Sequence, residues 1–149
     1  MARLFDAYIM VDWSAATKPT TGPNSIWIGI LAKDARFRMV FTAVNPDTRI
    51  KAAQFISDMI AKLNGRGDRV LLGFDFSLGY PSGTAAALDL NRDSQPAWCA
   101  MHRYLAGRIK DKPDNSNRRF AIAAGMNYTI SKGPFPFWGA PAKEQCETH

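Results

Sequence analysis

Two short stretches of the chain end an apolar run with the same polar pattern. Asp12-Trp13-Ser14 closes the run in "IMVDWSAA", and Asp75-Phe76-Ser77 closes the run in "VLLGFDFSLGYP". In extended backbone, side chains alternate between faces, so Asp12 and Ser14 point one way and Trp13 the other. Asp75, Ser77 and Phe76 follow the same alternation. If the two segments are neighbouring strands in register, both carboxylates converge at one sheet edge. Open α/β sheets place their ligands there, beyond the carboxyl ends of the strands. Two buried carboxylates a few ångströms apart repel one another, which raises one pKa unless a cation neutralises them. Mg²⁺ or Mn²⁺ is the natural cation, since both take oxygen ligands and can bridge to a substrate phosphate. Asp12 and Asp75 are therefore the expected catalytic and metal-binding residues, with Ser14 and Ser77 as hydrogen-bond donors to the same ligand. Each motif alone also fits a plainer role, because Asp at a strand end caps the following turn and Ser two residues later does likewise.

The elements that must position these acids follow from pattern. Residues 7–12 form a continuous apolar run into Asp12, which predicts a strand buried on both faces. "TKPTTGPN" at 17–24 is a loop by its Pro, Gly, Thr and Asn content. "SIWIGILA" (25–32) and "FRMVFTAV" (37–44) read as second and third strands around a turn-sized "KDAR". Together the three predict an antiparallel meander. A helix starts at "NPDT", with Asp47 or Thr48 as N-cap. It carries Ala52, Phe55, Ile56, Met59, Ile60 and Leu63 on one face. Gly65 or Gly67 suits a left-handed cap at its end. The fourth strand, 69–76, is expected parallel to the first because a helix intervenes. After a turn at "LGYPSG", a helix is expected at 97–110; 118–130 fits a helix or a strand, and its Ala-rich centre favours the helix. "DKPDNSN" at 111–117 is a polar loop. The expected class is α/β, in one domain over 1–149. With no fifth strand in the pattern before His149, the rest of the domain is expected either in the tail after 111 or beyond the chain.

Composition narrows the classes. A chain of 149 residues with 46% hydrophobic and 21% charged residues has ordinary globular composition and can bury a real core. No apolar run approaches the roughly 18–20 residues needed to span a bilayer, and the opening "MARLFDAYIM" is no secretory signal. Cys99 and Cys146 lack metal-type spacing, and His102 and His149 add no ligand pattern, so a zinc site is not expected. Reduced thiols fit a cytoplasmic protein. A net charge of +6 permits a polyanionic partner such as nucleic acid without requiring one. The locally basic stretch of Arg103, Arg108, Lys110, Lys112, Arg118 and Arg119 reads more simply as a solvated helix and loop.

The strand order, the meander with its long loop, the helix, and acids on strands one and four resemble the ribonuclease H-like superfamily over residues 5–80. The phrases "VDWSAA", "GFDFSLGYP" and "GPFPFWGAP" resemble a largely uncharacterised family of bacterial ribonuclease H-like domains, extending the likeness to 141. The resemblance implies that Asp12 and Asp75 hold divalent metals, as the equivalent acids do in nucleases and resolvases of the superfamily. The chain also departs from that pattern. Ribonuclease H proper has a Glu early in its first helix, where this chain has Ile50, Lys51, Ala52 and Ala53; Asp58 lies further along, beside the polar face. Resolvase-like relatives take their last acids from a C-terminal helix, which would lie beyond 149, since Glu144 and Glu147 sit in an unpatterned tail.

Three functions compete. The first is metal-dependent cleavage of nucleic acid phosphodiesters, a nuclease-type hydrolase. The second is a ribonuclease H-like module that binds a ligand or partner without catalysis. The weakest is ATP-dependent phosphotransfer, as in the actin and sugar-kinase branch, whose phosphate loops need glycines that "DWSAA" lacks. Nucleotidyl transfer likewise has no Gly-rich loop to support it. Phe135, Phe137 and Trp138 could stack on a base or ribose, with Trp138 the candidate substrate contact; alternatively their rings pin the loop onto a core.

Overall fold

A computed structural model of the chain describes residues 3–90 and 95–137. They fall into two compact units, one of residues up to Ser77 with Asp111–Ser116, the other of Leu78–Lys110 with the residues from Asn117 onward.

The first unit is a mixed α/β sheet. Strands β1 (Ala7–Asp12), β2 (Trp27–Lys33), β3 (Met39–Val44) and β4 (Val70–Phe74) lie in the order β3-β2-β1-β4. β1 to β3 form the expected antiparallel meander, with Tyr8 opposite Leu31 and Ile30 opposite Thr42. β4 pairs parallel with β1, Val11 lying opposite Phe74. The crossover is α1 (Arg49–Gly65), capped by the Thr48 hydroxyl, which accepts from Lys51 N at 3.3 Å. Gly67 takes φ +81°, the left-handed conformation that ends a helix. The apolar stripe of α1 buries Ala52, Ile56 and Leu63 against Ala7, Ile9, Val11, Ile28 and Ile30. Burying each Ile or Leu of this layer contributes roughly 1.5–3 kcal/mol.

Two expectations about the sheet are corrected. β1 is buried on one face only: Ala7, Ile9 and Val11 are buried, whereas Met10 is 48% exposed and Asp12 is exposed. α1 packs on one side, and the apolar Tyr8 and Met10 on the other side hide the alternation from the sequence. β3 starts two residues later than the pattern indicates. The Asp34 carboxylate accepts from the N–H groups of Arg36 and Arg38 at 2.8 and 2.9 Å, and so prolongs the turn.

The second unit is helical: α2 (Thr84–Ala87), α3 (Ala97–Arg108) and α4 (Arg119–Ser131). α3 and α4 match the expected spans closely, while the short α2 has no counterpart in the pattern. Its core is Ala85, Leu88, Met101 and Met126, with Tyr104, Leu105, Ile122 and Phe137 packed against it. Buried Asn127 accepts from Phe137 N at 2.7 Å and donates to Pro134 O and Phe137 O at 3.0 and 2.9 Å. These bonds hold the backbone of segment 134–137; of its two rings, Phe137 packs on the core and Phe135 stays 48% exposed.

Candidate functional site

The parallel register that sets Val11 beside Phe74 brings the next residues, Asp12 and Asp75, to the same end of adjacent strands. Asp75 N donates to Val11 O at 3.1 Å, carrying the ladder one step past the strand. The Asp75 carboxylate then accepts from Trp13 N through Oδ1 at 2.9 Å, taking the place of a ladder carbonyl. Trp13 turns to the opposite face, where it meets Phe74 and Phe76 edge-on and packs on the core. Asp12 and Asp75 thus share the face that α1 does not cover. Both residues are exposed, not buried as the sequence pattern suggests.

The remaining candidates divide. The Ser14 hydroxyl donates to Asn24 O and accepts from Ala16 N, both at 3.2 Å, which commits it to its own loop. Ser77 is exposed at the end of the same unit. Trp138, Glu144 and Glu147 lie outside the described residues. Asp58 accepts from Gln54 Nε2 at 2.9 Å on the exposed side of α1, across the sheet from Asp12. Among the described residues, no three His, Cys, Asp or Glu side chains come together.

Beside the two acids lies an open depression of about 520 Å³. Its floor is the register row Gly73, Met10 and Gly29, flanked by Trp27 and Phe41. A Cβ on Gly73 would sit 2.7 Å from Met10 Sδ, and one on Gly29 3.1 Å from the Phe41 ring. The two glycines therefore let the Met10 and Phe41 side chains lie flat on the sheet. The result is an apolar trough with two carboxylates at one end.

Charge separates these carboxylates from most others in the unit. Asp6, Asp34, Asp47, Asp68 and Asp111 all pair with Lys or Arg. The Asp6 carboxyl is held below the usual carboxylate range, first by the Arg69 N–H, then by the Arg69 guanidinium and Lys33. Neither Asp12 nor Asp75 forms an ion pair with any described residue.

Sequence reasoning missed the group that holds the loop after Asp12. Arg49, only 6% exposed, grips both oxygens of Asp111 at 2.9 and 2.7 Å and donates to Ser14 O and Ala16 O at 3.3 and 2.7 Å. Its second terminal nitrogen also bonds Asn115 O. Asn115, at φ +69°, accepts from Arg49 N at 2.8 Å and donates to Lys18 O and Asp47 O, both at 3.2 Å. One signal was available: a cation at the first position of a helix opposes the helix dipole and needs another reason to be there.

Neither the family models, nor the curated proteins, nor the solved structures compared with this chain match it.

Proposed function

We propose that this is a ribonuclease H-like domain in which Asp12 and Asp75 hold a divalent cation, Mg²⁺ or Mn²⁺, for phosphodiester cleavage in nucleic acid. One observation carries the reading: the two aspartates follow register partners on adjacent parallel strands and line one open depression, with no ion pair to any described residue. Hard oxygen donors without a counter-ion fit Mg²⁺, which is commonly bound by one or two carboxylates plus substrate phosphate and water. When bound, the cation polarises a phosphoryl oxygen and lowers the pKa of a coordinated water. The chain's own part is positional. The Trp13 N–H fixes Asp75 through Oδ1, and the Arg49 network anchors the carbonyls of Ser14 and Ala16 just after Asp12. The trough beside the acids gives a nucleotide base an apolar wall in Trp27 and Phe41.

The bond from Trp13 N to Asp75 favours a second reading, a ligand-binding module without catalysis, because it gives that carboxylate a purely structural task. Mn²⁺ titration of the full chain and of Asp12→Asn, with cleavage assays on branched and single-stranded DNA and RNA, separates the two. The nuclease reading expects Mn²⁺ binding that Asp12→Asn weakens at least about ten-fold, with cleavage lost in parallel. Failure of the intact chain to bind Mn²⁺ would sink it. Metal binding without cleavage of any strand would leave the non-catalytic module.

A further inference from the structure

The helical unit handles its cations differently from the sheet unit. Its described residues carry Arg103, Arg108, Lys110, Arg118, Arg119 and Lys132 against one acid, Asp89. Three of these six cations lie over rings. The Arg108 guanidinium is 3.8 Å from the Tyr104 ring centre, Arg119 is 4.4 Å from Phe120, and Lys132 is 4.5 Å from Tyr128. A ring attracts a cation through its face but does not cancel its charge, and the guanidinium edge stays able to donate.

Two of these arginines border one depression of about 330 Å³, whose other walls are Leu90, Gln95, Ala100 and Tyr104. Arg103 is steadied by its Nη1 bond to Gln95 Oε1 at 2.5 Å, and Arg108 by its seat on Tyr104. Among the described residues no carboxylate lines the depression. Two held guanidinium forks bordering one depression suit an anion with several acceptor oxygens in different planes, as in phosphate. Holding the forks beforehand also lowers the entropy lost when the anion binds.

We propose that the Arg103–Arg108 depression is a phosphate-binding site, taking the phosphate of a nucleotide or of a single nucleic-acid strand. It lies in a different unit from Asp12 and Asp75 and does not depend on the metal reading. The test uses the full chain in EDTA, so that metal binding plays no part. The probes are a labelled single-stranded oligonucleotide, a nucleoside monophosphate and inorganic phosphate. The site expects at least one probe to bind, and Arg103→Gln/Arg108→Gln to weaken that binding at least about ten-fold, each lost charged hydrogen bond counting. For the oligonucleotide, the slope of log affinity against log salt should fall by about 1.4, the loss of two contacts. Strand and nucleotide binding together, both lost in the double variant, mark the strand backbone as a source. Nucleotide or phosphate binding without strand binding marks the small ligand. Lys132→Gln should leave each affinity unchanged, and a thermal melt checks that the double variant folds. The proposal is overturned if no probe binds the wild type, or if the folded double variant binds as well as the wild type.

Discussion

The sheet unit and the helical unit solve the same problem, an excess of cations, in opposite ways. In the sheet unit eleven Lys and Arg meet nine Asp, and every ion pair among the described residues lies there. In the helical unit eight Lys and Arg meet four acids, and three of its six described cations lie over aromatic rings. The net charge of +6 is therefore not spread evenly: two thirds of it belongs to the smaller share of the chain. Paired charges fix loops and turns, as Asp34 fixes the β2–β3 turn. Cations on rings fix only themselves and keep their charge for a ligand. In the sheet unit the same logic runs in reverse: four Asp form no ion pair with any described residue, and of these Asp12 and Asp75 line one depression at the strand ends.

The largest effect that tests this contrast is at Arg49. Replacing it with Met leaves the Asp111 carboxylate without its fork and strands the carbonyls of Ala16 and Asn115. Removing one partner of a buried pair typically costs 3–5 kcal/mol; Asp111 keeps a side chain 25% exposed, so about 3 kcal/mol is expected. Urea unfolding of Arg49→Met measures it. Arg108→Gln in the helical unit should leave the midpoint nearly unmoved. If the two substitutions cost the same, pairing and ring-stacking are not doing different jobs.

A smaller loss is expected at Asn115. Asn115→Ala deprives buried Arg49 N of its acceptor and places a Cβ-bearing residue without a local polar contact at φ +69°. An orphaned buried donor costs about 1–3 kcal/mol, and the left-handed backbone adds about 1 kcal/mol. With the orphaned donor at the low end of that range, a total of about 2 kcal/mol, read by urea unfolding, sharpens the claim that the 111–116 loop is stapled to the start of α1. Asn115→Gly, which relieves the backbone but not the lost bonds, should recover part of it.

What the sequence made legible is local. The limits of β1 follow from its continuous apolar run, the apolar stripe of α1 and the span of α3 from a period of 3.6 residues, the Thr48 cap from turn chemistry, and α4 from its Ala-rich centre. The adjacency of Asp12 and Asp75 was legible too, because a helix between two strands implies a parallel pair. The fate of Arg49 was not. Its burial depends on Asp111 and Asn115, more than sixty positions away; a cation at the start of a helix signals that a partner is needed, but nothing in "DTRIK" says which. The open face of β1 was hidden because Tyr8 and Met10 are as apolar as their buried neighbours. α2, with four residues, is too short to carry a period.

Acid pH gives the smallest and most diagnostic contrast. The carboxyls of Asp6, Asp34 and Asp114 are held below the usual range, each chiefly by hydrogen bonds: the Arg69 N–H on Asp6, the Arg38 N–H on Asp34, the Ser116 hydroxyl on Asp114. All three belong to the sheet unit. A group whose folded pKa is depressed adds stability that is fully present above its unfolded pKa. That stability disappears as pH falls through the lower, folded value. Thermal melts taken down through the carboxylate range should therefore show a declining midpoint for the wild type. Asp6→Asn/Asp34→Asn starts from a lower midpoint at neutral pH and loses less of it on acidification. Each of these aspartates is reached by solvent, so the slope should also shrink in high salt as the guanidinium and ammonium contributions are screened. The bonds from backbone N–H groups, which salt screens least, should sustain the part that persists. An acid limb unchanged by the double substitution would place the pH sensitivity elsewhere and deny the paired aspartates of the sheet unit their stabilising role.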